Sequence, residues 1–305
     1  MCIMEYYIRF KSNQIRLMEL SKSPILIATI LAISVSFLSA FDGIIVRILT
    51  DELHPFLIVF YRSLFGLILI VPLFLKDRTV FISKYKYLHF ARAFLKICAL
   101  TSFFFAIKFV ALSDVTAISF ITPILIILGS ILVLNEKPNR VIFLFAFLGF
   151  LGIVIILKPG QNIIPLAIYW AFVGAILSAC IQLILKKMSS KDSSSTLIVW
   201  NLLCTVPLVF IPACFFWVVP SFGLLLLLSI QGLIGVLNMI LMTKAMTLSD
   251  VSYIAPYDFL RLPIISILAF MFFDETPELS TLIGAFIIFM SSFLMFNSVK
   301  KNNFY

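Results

Sequence analysis

The chain has 305 residues, of which 62% are hydrophobic and only 12% charged, and its mean hydropathy is +1.16. A soluble domain is about half apolar and about a quarter charged, so these values exclude a water-soluble fold of this size. The formal charge of +9 is spread between the apolar runs, which fits membrane topology better than a nucleic-acid-binding face.

The apolar runs are continuous and close to the length of about 20 residues that a helix needs to cross a bilayer. A transmembrane barrel would instead show apolar residues at every second position. The expected fold class is therefore all-α, a polytopic membrane protein with ten transmembrane helices. In chain order the predicted spans are 24–46, 55–75, 87–109, 113–134, 140–157, 163–185, 197–219, 222–243, 251–273 and 279–298.

Lysine and arginine are distributed unequally between the connections of these spans. If both termini are cytoplasmic, the inner segments hold sixteen of these residues and the outer connections hold three. Cytoplasmic loops retain Lys and Arg, so we expect cytoplasmic tails at 1–23 and 299–305, and an inner-membrane location.

The two halves of the chain repeat each other at a nearly constant spacing, called here the repeat offset and defined by LSA at 38–40 and its copy at 177–179. LIVF at 57–60 recurs as LIVW at 197–200, LSDV at 112–115 recurs at 248–251, and NEKP at 135–138 recurs as DETP at 274–277. The predicted repeats, 24–160 and 161–298, each contain five spans. Because five is odd, the second repeat is expected to insert upside down, an arrangement typical of transporters. Duplication of a purely structural hairpin is the alternative.

Charged residues inside the spans are candidate substrate ligands because a charge near a helix centre costs about 2.5–3.5 kcal/mol. Asp42 in span 1 suits a cationic group or a proton, or simply a hydrated interfacial position. Arg62 in span 2 suits a carboxylate, or a structural tie to a neighbouring helix. Arg92 and Lys96 share one face of span 3; Arg92 is expected to extend to the inner headgroups, and the two together suit an anionic group.

Span 9 contains the most unusual stretch, APYDFLRLP. Asp258 and Arg261 are three residues apart and can pair, either as architecture or as substrate ligands. Pro256 and Pro263 bracket the pair and release backbone carbonyls, which predicts a hinge. Tyr257 is the preferred candidate for stacking on a flat substrate ring.

Several uncharged side chains complete the candidate site. The polar and aromatic lining candidates are Ser119, Thr122, Tyr169, Trp170, Ser178, Gln182, Trp200, Asn201, Gln231, Asn238, Tyr253 and Tyr257. Tyr169, Trp170 and Trp200 are more typical of the interfacial aromatic belt. Pro123 is the first-repeat counterpart of Pro263, and Glu136 and Glu275 are predicted helix-end or gating residues.

Motifs for catalysis or metal binding are missing from the sequence. It has two histidines and no HExxH, GxSxG or phosphate-binding glycine loop, so we expect no enzyme activity, no cofactor and no metal site. Without an ATP-binding segment, transport would run by exchange or on an ion gradient.

Three segments of the first half resemble a known family: FYRSLFGLILIVPL (60–73), FFFAIKFVALSDVTAISFITPILIILGSILVLNEKP (103–138) and GFLGIVIILKPG (149–160). They resemble the EamA domain of the drug/metabolite transporter superfamily, and the second half, from LSACIQLILKKM to DETPELSTLIGAF, resembles a second copy. The resemblance covers residues 24–298 and implies ten helices, a central cavity and alternating access.

APYDFLRLP and LHFARAF are most similar to a branch that includes S-adenosylmethionine uptake carriers. The resemblance therefore favours secondary-active uptake of S-adenosylmethionine, with the small-molecule substrate and the lipid bilayer as partners. Its carboxylate would meet Arg261 or Arg62, its cationic groups Asp258 or Asp42, and its adenine Tyr257. An exporter of amino acids or amphiphilic drugs, and a non-transporting membrane scaffold, are the alternatives.

Overall fold

The computed structural model describes residues 24–74, 78–110, 112–119, 121–136, 140–157 and 166–273, followed by scattered positions between 279 and 294. The predictions for both tails, for Glu275 and for most of span 10 lie outside these residues. Within the described part every regular element is helical.

Up to residue 273, the described part of the chain contains eleven α-helices. They are α1 (Pro24–Glu52), α2 (Pro55–Phe74), α3 (Lys86–Phe109), α4 (Leu112–Ser119), α5 (Ile121–Leu134), α6 (Arg140–Leu157), α7 (Ala167–Met188), α8 (Ser194–Cys214), α9 (Phe222–Leu248), α10 (Val251–Ile254) and α11 (Arg261–Phe273). Two 3₁₀ segments, Arg78–Phe81 and Ala255–Leu260, precede α3 and α11.

The helices agree with the first nine predicted spans, and apart from the 3₁₀ segment inside span 9 the main differences lie at their ends. Helix α1 continues to Glu52, beyond the predicted end at 46, and α8 begins at Ser194, before the predicted start at 197. Polar residues explain the second difference, because the Ser193 hydroxyl accepts a hydrogen bond from Thr196 N (3.1 Å) and caps α8. Hydropathy alone locates the apolar centre of a helix and misses such polar first turns.

The exterior of the helix bundle is suited to lipid. Six described segments are long and apolar enough to cross a membrane, and three further apolar helices are shorter. Large apolar side chains lie exposed along them, among them Ile30, Phe94, Leu132, Phe210 and Ile267. The chain is therefore an integral membrane protein with an all-helical fold.

The two halves pack against each other through equivalent helix pairs. Helix α3 packs on α7, and α9 packs on α1; likewise α2 packs on α9, and α8 packs on α3. Helices α4 and α5 contact α7, while α11 and the Ala255–Leu260 segment contact α1. Each of these contacts between the halves thus has a counterpart in which the halves are exchanged.

The structural correspondence between the two halves aligns different residues from one of the sequence matches. Helices α4 and α10 begin at Leu112 and Val251, which are separated by the repeat offset, as are Glu136 and Glu275. The LSDV copies lie closer together in sequence than these pairs, so the first opens α4 whereas the second closes α9 at Leu248. The LSDV identity was therefore a misleading guide to structural equivalence.

Candidate substrate cavity

Three adjoining chambers open in the interior where the two halves meet. Their volumes are about 240, 180 and 230 Å³, and they are called here the first, second and third chambers. Ser39 of α1 and Ser178 of α7, which are separated by the repeat offset, line all three. The chambers share these walls and are together called the central cavity; small-molecule sites usually have about 300–1,000 Å³.

Arg92 and Lys96 of α3 line the first chamber. Lys96 Nζ donates to Asn201 Oδ1 of α8 at 2.8 Å, and an Arg92 guanidinium nitrogen donates to the Leu197 carbonyl at 3.2 Å. Arg92 is only 4% exposed, so the expectation that it extends to the headgroups is wrong. The carbonyl on α8 gives the guanidinium a partner inside the bundle, where a hydrogen bond compensates part of its desolvation.

Two ion pairs lie on the other walls of the cavity. Arg62 donates to Asp42 at 2.8 Å on the wall of the third chamber. Arg261 lies 3.3 Å from Asp258 on the second chamber and also donates to Ser119 at 2.7 Å. The side chains of Asp258 and Arg261 retain 30% and 22% exposure, so the predicted pair is accessible from the cavity.

Two glycines of α9, which the sequence reading did not single out, let Arg62 take its position. A Cβ atom on Gly235 would lie 2.8 Å from Arg62 Nε, and one on Gly232 would lie 2.7 Å from Phe65 Cβ. Both contacts are closer than real Cβ atoms allow. The spacing GLIG in an apolar span was an available signal, since small residues in register let membrane helices approach closely.

The irregular backbone of span 9 lies where the prolines predicted it. Pro256 is in the first turn of the 3₁₀ segment, and Pro263 follows in the first turn of α11. The Tyr257 carbonyl accepts a hydrogen bond from Ser36 Oγ of α1 at 2.9 Å. Pro123 lines the second chamber from the opposite half.

Comparison with known proteins identifies the family. A sequence model described as the EamA-like transporter family matches twice, at residues 26–158 and 165–297. The chain belongs to this family.

Named relatives of this EamA-like transporter carry different small metabolites. It is 30% identical over 266 residues to an S-adenosylmethionine uptake transporter of Rickettsia bellii, covering 86% of this chain and 91% of that protein. It is 30% identical to a riboflavin transporter of Vibrio cholerae, over 67% of this chain and 69% of that one. A solved crystal structure superposes with a TM-score of 0.72 at 15% identity, covering 87% of this chain and 94% of the other, and it supports the fold.

Tyr257 does not line the cavity of this EamA-like transporter, contrary to expectation. The ring is 1% exposed, its hydroxyl donates to Tyr253 Oη at 3.0 Å, and Tyr253 in turn bonds to Thr29 at 2.9 Å. A 3₁₀ segment has about three residues per turn, so adjacent side chains point about a third of a turn apart. Asp258 therefore reaches the cavity while Tyr257 enters the core.

The uncharged candidates divide between the cavity and other places. Gln182 lines the first and second chambers, and Asn238 lines the first and third and donates to Ser39 at 3.3 Å. The Trp200 ring stacks on that of His89, with 5.4 Å between centroids. Tyr169 and Trp170 are exposed, as belt residues are.

Glu136 joins the two repeats at a helix end. Asn135 has a positive φ of 56°, which closes α5 and lets Glu136 N bond back to Ser130 O at 3.1 Å. The Glu136 carboxylate then accepts from the backbone N–H groups of Val251 and Ser252, both at 3.2 Å. It caps α10 of the other repeat, consistent with the helix-end role predicted for it.

Two further contacts were missed because each needs residues far apart in sequence. Arg47, in the second-to-last turn of α1, donates to the Ile107 carbonyl near the end of α3. Lys186 at the end of α7 donates to the Met246 carbonyl (3.0 Å) and to Ser249 O (2.7 Å) at the end of α9. The repeat offset separates Arg47 from Lys186, and it also separates Ile107 from Met246.

Proposed function

We propose that this protein is a secondary-active carrier of the bacterial inner membrane that takes up S-adenosylmethionine by alternating access and exchange. The observation that carries the proposal is the central cavity between the two repeats, whose walls hold both carboxylates and cationic side chains. The rickettsial S-adenosylmethionine uptake transporter, similar over 91% of its own length, supports this substrate over riboflavin, whose transporter is covered over 69%.

The proposed architecture is ten transmembrane helices in two inverted repeats with both termini in the cytoplasm. The exchanged helix contacts support it, and so do the Arg47 and Lys186 contacts, which repeat the same tie between a first and a third helix. In an inverted arrangement these two ties lie on opposite sides of the membrane. Releasing one while keeping the other would open the cavity to a single side.

The cavity suits the charges of S-adenosylmethionine, which has a carboxylate, an ammonium and a sulfonium. Asp258 and Asp42 are placed to attract the cationic groups, and the cationic side chains are placed to attract the carboxylate. With Tyr257 in the core, Phe103 takes its proposed role towards adenine, because it lines the second and third chambers.

Counterflow in proteoliposomes tests the proposal. Vesicles are loaded with unlabelled S-adenosylmethionine, with unlabelled amino acids or with buffer, and labelled S-adenosylmethionine or labelled amino acids are supplied outside. We expect transient accumulation of label only when S-adenosylmethionine is present on both sides. Counterflow with amino acids alone would replace this substrate with the exporter alternative, and no flux by folded protein would favour the scaffold.

The variant Asp258→Asn separates a binding role from an architectural one. Asn keeps the shape and one acceptor oxygen but removes the charge, so we expect counterflow to fall at least about tenfold, the cost of losing a hydrogen bond to a charged group. Asp51→Asn, at an exposed carboxylate at the end of α1, is the control. Equal transport by both variants would reduce the Asp258–Arg261 pair to architecture.

A further inference from the structure

The cations on the cavity wall fall into two classes. Arg62 and Arg261 each have an aspartate partner, at 2.8 and 3.3 Å. Arg92 and Lys96 have neutral partners, the Leu197 carbonyl and the Asn201 amide oxygen, and none of the described carboxylates lies within ion-pair distance of them. The first chamber therefore has two basic side chains that no described carboxylate neutralises.

Buried donors at the same place have no partner among the described residues. Arg92 Nε and Asn201 Nδ2 make no hydrogen bond, although Arg92 is 4% and Asn201 1% exposed. The Lys96 ammonium has three hydrogens and donates one to Asn201. A buried donor left unsatisfied costs about 1–3 kcal/mol, so donors of this kind beside a cavity indicate a partner outside the described residues, such as a water, an ion or a substrate.

All three donor groups line one chamber and come from two helices. Arg92 and Lys96 lie one turn apart on α3, and Asn201 faces them from α8. Two cationic side chains and an amide that line one space can together supply the donors that a carboxylate accepts, because its two oxygens offer about four lone-pair sites. Gln182 Oε1, also buried without a partner, lies at the boundary with the second chamber and suits an ammonium.

We infer that the first chamber is a carboxylate-binding subsite in which Lys96, Arg92 and Asn201 hold the amino-acid end of the substrate. The α-ammonium then meets Gln182, and the rest of the molecule extends past Ser178 towards Asp258 in the second chamber. The identity of the substrate rests on the proposed function, whereas the subsite itself does not. Arg62 and Arg261, the residues expected from the sequence to bind the carboxylate, are already neutralised by Asp42 and Asp258.

Three variants are designed for the test. Lys96→Met removes the charge and keeps a chain of similar length. Asn201→Asp keeps the shape but places a carboxylate beside Lys96, so that the chamber gains the counter-ion that Arg62 and Arg261 already have. Lys108→Met is the control, because Lys108 is an exposed lysine on the same helix outside the cavity.

The first experiment needs no transport. Thermal unfolding of the purified protein is followed in two parallel titrations, one with sodium acetate and one with sodium chloride, and the two are compared at equal ionic strength. We expect acetate to raise the midpoint saturably in wild type and Lys108→Met, and not in Lys96→Met or Asn201→Asp. An equal rise with chloride would show a site for any small anion, and no rise in wild type would show no anion site; either result overturns the carboxylate assignment.

The second experiment uses counterflow and determines which part of the substrate the subsite binds. Inhibition by S-adenosylmethionine is compared with inhibition by its decarboxylated analogue. Wild type and Lys108→Met should prefer the carboxylate-bearing compound by about 10- to 100-fold, the value of a charge-assisted hydrogen bond, and both subsite variants should lose the preference. The absolute inhibition by the analogue should change little, which shows that the variants are folded.

The outcomes separate the two proposals. If wild type does not transport S-adenosylmethionine, the proposed function fails and the acetate titration still decides the subsite. If S-adenosylmethionine is transported and Lys96→Met keeps the full preference, the subsite is wrong and the proposed function stands.

Discussion

Gly235, a residue without a side chain, determines where Arg62 lies on the cavity wall. The Arg62 guanidinium lies against Gly235 of α9, where a Cβ atom would be 2.8 Å from Nε, and from there it reaches Asp42 at 2.8 Å. The Arg62–Asp42 ion pair on the wall of the third chamber therefore depends on Gly235 of α9 having no Cβ atom. The chemistry of glycine alone does not predict this role.

Gly235→Ala should displace the Arg62 guanidinium and weaken its contact with Asp42. We expect transport in the counterflow assay to fall at least about tenfold and stability to fall by about 1–3 kcal/mol, the usual cost of overpacking. Gly223→Ala is the matched control, because nothing lies within 4 Å of a Cβ at that position of the same helix. In the control, alanine should be neutral or stabilising. Wild-type transport and stability in Gly235→Ala would show that Arg62 adjusts without loss.

The sequence predicted which residues would be unusual better than it predicted their partners. Asp42, Arg62, Lys96, Asp258 and Arg261 stand out because charge is expensive in a membrane, and all of them line the cavity. The contact of Lys96 with Asn201 joins residues 105 positions apart, which depends on how α3 and α8 pack. Tyr257 was misplaced because it was expected beside Asp258, whereas adjacent residues point about a third of a turn apart.

At the scale of elements, a polar cluster joins the connection before α3 to the connection between α7 and α8. Asp192 Oδ2 accepts from Ser83 Oγ at 2.6 Å and lies 3.1 Å from His89 Nε2, while Oδ1 accepts from Lys84 N at 3.1 Å. Burial alone would raise the pKa of Asp192, but these hydrogen bonds and the His89 contact outweigh it and hold the pKa below its usual range. The charged carboxylate thus ties the two repeats together.

Asp192→Asn should weaken this tie by about 1.5–3 kcal/mol at neutral pH, the range for hydrogen bonds to a charged group. A carboxyl whose pKa is lowered by folding stabilises the protein above the unfolded pKa of about 3.9, and the contribution is lost as pH falls through the folded pKa. The difference in unfolding midpoint between wild type and variant should therefore shrink below about pH 4. Asp51→Asn, at an exposed carboxylate, should show little difference at any pH. An unfolding midpoint equal to that of wild type in Asp192→Asn at neutral pH would show that the Asp192 contacts do not stabilise the protein.

At the scale of the whole molecule, the proposed mechanism of alternating access has the two repeats facing opposite ways. Positions separated by the repeat offset then lie on opposite sides of the membrane, which is how two similar halves supply two access states. Arg47 and Lys186 are such a pair, and each ties one helix near its end to the end of another in its own repeat. The excess of Lys and Arg in the predicted inner connections predicts which way the repeats face, with both termini in the cytoplasm.

Asp51 and Ser190 allow a direct test of this arrangement, because both are exposed, both lie near the end of the first helix of a repeat, and the repeat offset separates them. Each is changed to cysteine in a chain whose native cysteines are replaced, and intact cells are treated with a membrane-impermeant maleimide. Asp51→Cys should be labelled from outside, and Ser190→Cys only after the cells are lysed. Labelling of both from one side would mean that the repeats are parallel. Labelling of Ser190→Cys alone would keep the inversion and place the termini outside, because inversion fixes only the relation between the repeats whereas the basic residues fix which side is cytoplasmic.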